Sequence, residues 1–196
     1  MSVSLENLEK FATLLHKVQR VKRFAKRPNE KEFTNTAEHT FEVAMMSWYI
    51  ASVEGHDLDF EKILKYALAH DLIEAYAGDT PAFDTIGQKD KAKREEAAIA
   101  RIKSEFTEFP DLLNIINSYE NKNDPESKFV YATDKIVDPL NLSMDDNPSF
   151  WKDSNISYQT LRNYKDSKIA KDPTITRIWK LLIEKLEVNL KRYFNS

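Results

Sequence analysis

One segment of the chain, residues 35–53, predicts a helix that is apolar on nearly all of its faces. Asn35 is a suitable N-cap residue, and Glu38 at the third helical position completes the pattern of a capping box. The apolar side chains are those of Phe41, Val43, Ala44, Met45, Met46, Trp48, Ile50 and Ala51. A helix that is apolar all round is typically buried. We therefore predict that this helix lies at the centre of the fold.

The remaining sequence is also dominated by helical periodicity. Apolar residues recur at helical spacing in segments that start near Leu5, Phe60, Gln88, Leu112, Pro125, Ser157 and Pro173. We expect the first of these helices to reach about Lys26, and the second to reach about Ala77. Pro139 should kink or end its helix, and residues 143–155 should form a long loop. Three glycines among 196 residues leave few turns for strands, so we predict an all-α fold.

Charge and composition argue against several classes of partner. The net charge is −3, and no long basic stripe with interleaved aromatics indicates nucleic-acid binding. No run approaches the roughly 18 apolar residues of a membrane span, and no apolar signal-peptide core follows the first methionine. We expect one domain over residues 1–196, in the cytoplasm, with neither nucleic acid nor membrane as partner. Because the chain has no cysteine, a metal would require His and carboxylate ligands.

The segment Ala69–Glu74 combines an imidazole with two carboxylates. In a helix, Asp71 and Glu74 are three residues apart and His70 and Glu74 four apart, so all three share a strip of surface. Adjacent residues diverge by about 100° around a helix. An ion could therefore touch both His70 and Asp71 only by sitting between them, off the helix axis, and it would need ligands from elsewhere.

Two further residues could complete such a site. His39 lies in the first turn of the predicted central helix, and Asp134 interrupts an otherwise apolar helix face, where a lone carboxylate is costly unless paired or metal-bound. A mixed imidazole and carboxylate site suits Mn, Co, Fe, Ni or Zn better than a calcium-type oxygen cage. The candidate ligands are His39, His70, Asp71 and Asp134.

Each candidate also has an ordinary structural explanation. A lone histidine on an apolar helix is more often a core residue than a ligand, and Asp134 could be a surface charge. The doublet His56-Asp57 repeats the two letters of His70-Asp71 in a predicted interhelical loop, where helix capping is the better explanation. Periodicity alone leaves the metal and the structural interpretations open.

Four motifs, in order along the chain, resemble those of the HD-domain metal-dependent phosphohydrolases, and in particular the small 5′-deoxynucleotidase-type members. The motifs are TAEHTFEVAM at 36–45, AHDLIE at 69–74, GDTP at 78–81 and KFVYATDK at 128–135. The resemblance covers about residues 11–140. It implies a compact multi-helix HD-domain bundle with the metal site between central helices, on which C-terminal helices from 157–196 are packed.

The resemblance also implies roles for individual residues. One divalent metal, which could be Mn, Co, Fe, Ni, Zn or Mg, would be held by His39, His70, Asp71 and Asp134. Glu74 and Asp71 would be catalytic, Arg23 would bind the phosphate, and Asp79 would contact the nucleotide sugar. Phe24 stands where bacterial members have a tryptophan beside the sugar, which leaves the choice between deoxyribose and ribose open.

The implied activity is hydrolysis of nucleoside 5′-monophosphates, in particular deoxyribonucleotides, to nucleoside and phosphate. One alternative is another HD phosphohydrolase, acting on alarmones or nucleoside triphosphates, although Ala75 after Glu74 replaces the second acid usual in alarmone hydrolases. The other is a helical module that binds metal or nucleotide without turnover. The family suggests a homodimer. The apolar stripe of the last helix is consistent with one, but core packing explains that stripe equally well.

Overall fold

The computed structural model describes residues 3–195 and is mainly helical. The helices are α1 (Leu5–Arg20), α2 (Thr36–Val53), α3 (Phe60–Ala69), α4 (Glu74–Ala77), α5 (Lys91–Glu105), α6 (Pro110–Asn121), α7 (Pro125–Ser143), α8 (Phe150–Asp153), α9 (Tyr158–Ile169), α10 (Pro173–Val188) and α11 (Leu190–Tyr193), and the strands are β1 (Lys22–Lys26) and β2 (Phe33–Asn35). The all-α prediction is confirmed, with one short hairpin added to it. No helix within the described range is long and apolar enough to cross a membrane.

Helix α2 packs against both α3 and α7 and begins with the predicted capping box. The Asn35 side chain accepts a hydrogen bond from the Glu38 backbone, and the Glu38 carboxylate accepts one from the Asn35 backbone. Val43 and Ala51 are fully buried. Burial of the helix is nevertheless incomplete, because one face leaves large apolar side chains exposed, namely Phe41, Met45, Trp48 and Tyr49.

The first helix is shorter than predicted. It ends at Arg20, and β1 pairs antiparallel with β2, with Lys22 opposite Asn35 and Lys26 opposite Phe33. The expectation of a helix to Lys26 is therefore wrong. The strand is stabilised by pairing with β2, whose partner residues lie 7 to 13 positions further along the chain and are not part of the helical pattern. In its extended backbone, successive side chains point to opposite sides.

The second predicted helix is divided. Helix α3 ends at Ala69, and residues 70–73 form tight turns in which the Leu72 amide donates to Ala69 and the Glu74 amide donates to Asp71, at 3.1 and 3.0 Å. These bonds join residues three apart, as in a 3₁₀ turn. The expectation of one helix to Ala77 is thus wrong at the His-Asp doublet itself.

Two expectations for the C-terminal half also differ from the structure. Helix α7 continues through Pro139 to Ser143, so the expectation that the proline ends the helix is wrong, while the alternative expectation, a kink, stays a prediction. Residues 143–155 contain α8, in which Trp151 is buried and stacks on Phe194 with ring centroids 4.9 Å apart. Apolar burial of this aromatic pair orders a segment whose polar composition predicted a loop.

The buried apolar residues form two clusters. The larger joins α2, α3 and α7 to the C-terminal helices, and the smaller lies among α1, α4, α5 and α6. On α10, Trp179 and Leu186 belong to the larger cluster, so core packing accounts for the apolar stripe of that helix. The single domain over residues 1–196 stays a prediction.

A candidate metal centre in an acidic cleft

Three of the predicted ligands converge between α2 and the turn that follows α3. Ligand atoms of His39, His70 and Asp71 all lie within 4.8 Å of one another. The Asp71 Oδ2 atom is 3.0 Å from His70 Nε2 and 3.8 Å from His39 Nε2. The tight turn at residues 70–73 explains how neighbouring side chains reach a common point, which a regular helix would make difficult. His39 is only 1% exposed, so the centre lies inside the protein.

The orientation of His70 fits metal ligation. Its Nδ1 atom is 2.7 Å from the Ala67 carbonyl oxygen. The Nδ1–H group therefore donates a hydrogen bond to that oxygen, and Nε2 faces Asp71. A hydrogen bond of this kind fixes the ring of a metal-bound histidine. Nε2 is buried and has no hydrogen-bond partner within residues 3–195. A cation between Nε2 and the Asp71 carboxylate would satisfy both groups, so the donor set fits a divalent metal.

Asp134 joins this group from α7. Its Oδ1 atom is 3.0 Å from His39 Nε2, and its Oδ2 atom accepts a hydrogen bond from Lys135. The side chain is buried, which rules out the surface-charge explanation. Burial by itself would raise the pKa of Asp134, but the charge of Lys135 and the hydrogen bond with His39 hold that pKa well below its usual range. Asp134 is therefore ionised, as a ligand must be.

Arg23 reaches the centre from β1 and contacts several acids. Its Nη1 atom is 2.9 Å from Asp71 Oδ2, 3.9 Å from Glu74 Oε2 and 3.8 Å from Asp79 Oδ1. Its Nη2 atom is 3.4 Å from Asp138 Oδ2. The structure thus places Arg23 inside the predicted site, where it is held among carboxylates. Its Nε atom is buried without a hydrogen-bond partner in the described part of the chain.

Asp71 and Glu74 have opposite electrostatic environments. Burial opposes ionisation of Asp71, but positive charge on His70 and Arg23 lowers its pKa below the usual range. Burial, followed by the neighbouring Asp71 charge, raises the pKa of Glu74 well above the usual range. The Glu74 Oε2 atom accepts a hydrogen bond of 2.7 Å from the Thr36 hydroxyl. Two carboxyls whose pKa values are shifted in opposite directions at a single site form the arrangement used for acid and base chemistry.

These groups line a cleft of about 300 Å³. Asp79 follows α4 along its wall, and burial raises the pKa of that carboxyl. Phe24 is 45% exposed, with its ring 5.4 Å from that of Phe33 and 5.2 Å from that of Phe150. The structure therefore places both predicted sugar-contacting residues on the same cleft as the candidate ligands.

Sequence reasoning missed Asp138. Its Oδ1 atom is 3.5 Å from His39 Nδ1, and its other oxygen faces Arg23. Burial would raise its pKa, but Arg23 and His39 lower it below the usual range. The available signal was spacing, because Asp138 follows Asp134 by four residues and so shares its helix face. The doublet His56-Asp57 remains outside the site, with the His56 ring 5.6 Å from that of Phe129.

Comparison with known proteins gives three kinds of match. A family model described as HD domain matches residues 15–179. The 5′-deoxynucleotidase HDDC2 of Danio rerio is 27% identical over 135 residues, which cover 67% of this chain and 66% of that protein. The mouse protein of the same name is 30% identical over 133 residues, covering 65% and 64%. The matched segment thus spans just under two thirds of the length of these relatives.

Solved structures show the same fold. A predicted metal-dependent phosphohydrolase from Magnetospirillum magnetotacticum MS-1 superposes with a TM-score of 0.82 at 20% identity, covering 97% of this chain and 98% of that one. A conserved hypothetical protein from Pyrococcus furiosus gives a TM-score of 0.62 at 23% identity, covering 94% and 99%. At these identities the likeness concerns architecture alone.

Proposed function

The chain belongs to the HD domain family, and on that premise we propose that it hydrolyses nucleoside 5′-monophosphates, with deoxyribonucleoside 5′-monophosphates preferred over ribonucleoside 5′-monophosphates. The observation that carries the proposal is the convergence of His39, His70 and Asp71 beside Glu74, whose pKa is raised. The name of the relatives, 5′-deoxynucleotidase, supports the same substrate class.

One divalent cation is part of the proposal. His39, His70, Asp71 and Asp134 would hold it, and each offers an imidazole nitrogen or a carboxylate oxygen, which are donors that Mn, Co, Fe, Ni, Zn and Mg accept. When bound, such an ion offsets phosphate charge and lowers the pKa of water.

The reaction is hydrolysis of a phosphomonoester. A water oxygen bonds to phosphorus while the bond from phosphorus to the 5′ oxygen breaks, and that oxygen leaves with a proton as the nucleoside hydroxyl. Glu74, whose pKa is raised by burial and by Asp71, is the group suited to donate this proton, and the proton that the attacking water loses returns Glu74 to its acid form. Asp71 stays ionised and can orient the attacking water by accepting its hydrogen bond.

Arg23 would bind the phosphate. Its two Nη atoms donate to Asp71 and Asp138, and each carries a second N–H that a phosphate oxygen could accept, whereas its Nε atom is buried without a partner in residues 3–195. A guanidinium offers paired donors that match two phosphate oxygens, which a lysine cannot reproduce. Asp138 holds Arg23 in place from the opposite side.

Asp79 and Phe24 would contact the sugar. The Asp79 carboxyl can accept a hydrogen bond from a ribose or deoxyribose hydroxyl, and the Phe24 ring supplies an apolar surface at the same cleft. A phenylalanine ring is smaller than the tryptophan found in bacterial members. We expect deoxyribonucleotides to be preferred, with weaker exclusion of ribonucleotides.

The test is release of phosphate from a panel of deoxyribonucleoside and ribonucleoside 5′-monophosphates. Chelator should abolish release, and Mn, Co, Mg or Zn added singly should restore it for at least one metal. Full activity in chelator would refute the metal requirement. Binding of nucleotide by metal-loaded protein without any phosphate release would instead favour a non-catalytic module.

We further propose that the active form is a cytoplasmic homodimer. The exposed apolar face of α2, consisting of Phe41, Met45, Trp48 and Tyr49, would form the contact between copies. A contiguous apolar surface of this kind is uncommon on a monomer and often marks an interface. The proposed nucleotide substrate supports a location in the cell interior.

A further inference from the structure

Five lysines line the cleft in addition to the residues assigned above. They are Lys91 on α5, Lys122 at the end of α6, Lys135 on α7, and Lys165 and Lys168 on α9. The proposed hydrolysis uses none of them directly. Three have partners on the protein, since Lys91 pairs with Glu95 at 3.5 Å, Lys122 donates to the Glu120 carbonyl at 2.9 Å, and Lys135 donates to Asp134.

Lys165 differs from these three because it is buried and unpaired. It is 6% exposed, and its ammonium forms no ion pair or hydrogen bond with any residue of the described range. A buried charge is normally paired, since removal from water is costly. Burial lowers the pKa of Lys165 to about 8, with the charge of Asp138 opposing this change and that of Lys135 adding to it.

Lys168 lies one helical turn further along the same face of α9. Its Nζ atom is 3.1 Å from the centre of the Tyr164 ring, and it forms no ion pair within residues 3–195. Burial, together with the charges of Lys135 and Lys165, lowers its pKa to about 7. Like charges three residues apart on a helix repel each other. An anion between Lys165 and Lys168 would offset that repulsion.

The cleft contains acids beside these lysines as well. Glu95 and Glu120 both line it, but Glu95 is engaged by Lys91, and burial raises the pKa of Glu120. Neither forms an ion pair with Lys165 or Lys168 within the described chain. The two α9 lysines therefore line the cleft without an ion-pair partner among residues 3–195, although the charge of Asp138 acts on Lys165 from a greater distance.

We propose that Lys165 and Lys168 form a second anion subsite, which binds a second phosphate group of the nucleotide substrate. This inference rests on the proposed function, since the phosphate that is hydrolysed remains at the candidate metal centre and the second one is only bound.

Two classes of nucleotide could supply this second phosphate. In a nucleoside 5′-diphosphate the second phosphate is the one next to the sugar: water bonds to the terminal phosphorus at the candidate metal centre, the bond from that phosphorus to the bridging oxygen breaks, and the nucleoside 5′-monophosphate leaves with a proton on that oxygen. In a nucleoside 3′,5′-bisphosphate the second phosphate is on the 3′ oxygen, and the bond from phosphorus to the 5′ oxygen breaks as in the proposed function.

The test compares substrates of one nucleoside that differ only in phosphate number. Metal-loaded wild-type protein should show a kcat/KM about tenfold higher for the diphosphate or for the bisphosphate than for the 5′-monophosphate, as expected for one added charge-assisted contact. Whichever of the two substrates, diphosphate or bisphosphate, has the higher kcat/KM identifies the class of nucleotide that supplies the second phosphate. In Lys165→Met/Lys168→Gln protein the ratio should fall to about one.

Matched variants make the comparison specific. Lys165→Met replaces a buried ammonium by an apolar chain of similar length, which is compatible with folding, and Lys168→Gln alone provides a second variant. Lys180→Gln, at an exposed position of α10 outside the cleft, should keep the wild-type ratio. A ratio unchanged in the double variant, or a wild-type ratio near one in both arms, would overturn the subsite.

Calorimetric binding of inorganic pyrophosphate separates the two proposals. Metal-loaded wild-type protein should bind pyrophosphate about tenfold more tightly than the double variant does, and equal binding would refute the subsite. If no nucleotide released phosphate, the proposed function would fail, while this binding difference would still decide whether the subsite exists.

Discussion

At the scale of single residues, Asp71 connects the candidate metal centre to Arg23, the proposed phosphate-binding residue. Its Oδ2 atom lies near His70 and His39 and also accepts a hydrogen bond from Arg23. An ion at the histidines would therefore be adjacent to the guanidinium. This position makes Asp71 the most informative residue to change.

We expect Asp71→Ala protein to lose its bound metal and to release no phosphate, while its circular dichroism stays that of a helical protein. The matched control is His56→Ala, which removes the histidine of the second doublet outside the site. Metal analysis of the purified proteins should find wild-type metal content in His56→Ala and little in Asp71→Ala. Phosphate release by metal-stripped Asp71→Ala would contradict the assignment.

Glu74→Gln tests the proton donor separately from the metal. Because glutamine keeps the shape and loses the acid, kcat should fall by roughly 10²–10⁴-fold, the range for loss of general acid catalysis. Metal content should be unaffected. Glu61→Gln, an exposed change on α3, is the control and should retain wild-type kcat. A Glu74→Gln enzyme within threefold of wild type would assign the proton transfer to another group.

Residues of the candidate site could be predicted from the sequence only where they belong to motifs that follow one another in a fixed order along the chain. His39, His70, Asp71 and Asp134 were identifiable and the structure brings them together. Asp138 was missed because a carboxylate on a helix normally indicates a solvated face, and its burial depends on Arg23, 115 residues away. The four-residue spacing from Asp134 indicates a shared helix face, but the contact with Arg23 cannot be predicted from a local pattern.

At the scale of elements, α7 carries Asp134, Lys135 and Asp138 and so positions one side of the cleft. Its N-cap is Asp124, whose carboxylate accepts hydrogen bonds from the Ser127 amide at 2.8 Å and from the Tyr66 hydroxyl at 2.6 Å. Burial would raise the pKa of Asp124, but the hydrogen bonds from Tyr66 and Ser127 outweigh it and lower that pKa. The cap therefore links the start of α7 to α3.

Asp124→Ala should lower the free energy of unfolding by about 1–2 kcal/mol at pH 7, as expected for loss of an N-cap. Since the folded pKa is lowered, the ionic part of this contribution is complete above the unfolded pKa of about 3.9 and disappears as pH falls through the folded value. Urea unfolding at pH 7 and near pH 3 should thus show a smaller difference in acid. Asp124→Asn, which keeps a capping oxygen, should cost less at pH 7, and equal losses in both variants would contradict a capping role.

Helix positions were largely predictable because helical periodicity and caps are local. The capping box at Asn35 and Glu38 and the start of α7 at Asp124-Pro125 follow the expected signals. The errors occurred where distant contacts decide the backbone. Strand β1 forms only by pairing with β2. The turn at residues 70–73 depends on packing that brings His70 and Asp71 to the candidate metal centre.

At the scale of the whole molecule, the uncovered face of α2 is the feature that the monomer does not explain. Trp48 is 49% exposed and Tyr49 65% exposed on a helix whose opposite side is in the core. Stable homodimers usually bury about 800 Å² per partner in an apolar contact. Light scattering after gel filtration should give twice the monomer mass.

Trp48→Glu should convert the protein to a monomer at micromolar concentration without loss of helical content, since a charge in an apolar contact is strongly unfavourable. Val188→Glu, at an exposed position of α10, serves as the control and should remain dimeric. A monomeric wild-type protein, or a dimer that persists in Trp48→Glu, would refute this interface.

Residues that meet at the candidate metal centre lie far apart in the sequence, and this has a consequence for biosynthesis. His39 meets Asp134 across 95 residues, and Arg23 meets Asp138 across 115. During translation, His39, His70 and Asp71 leave the ribosome well before α7 is synthesised. Contacts between residues this far apart in the sequence form late in folding. The nascent chain would therefore bring the four proposed metal ligands together only when α7 docks, so metal uptake should follow the docking of α7 rather than precede it.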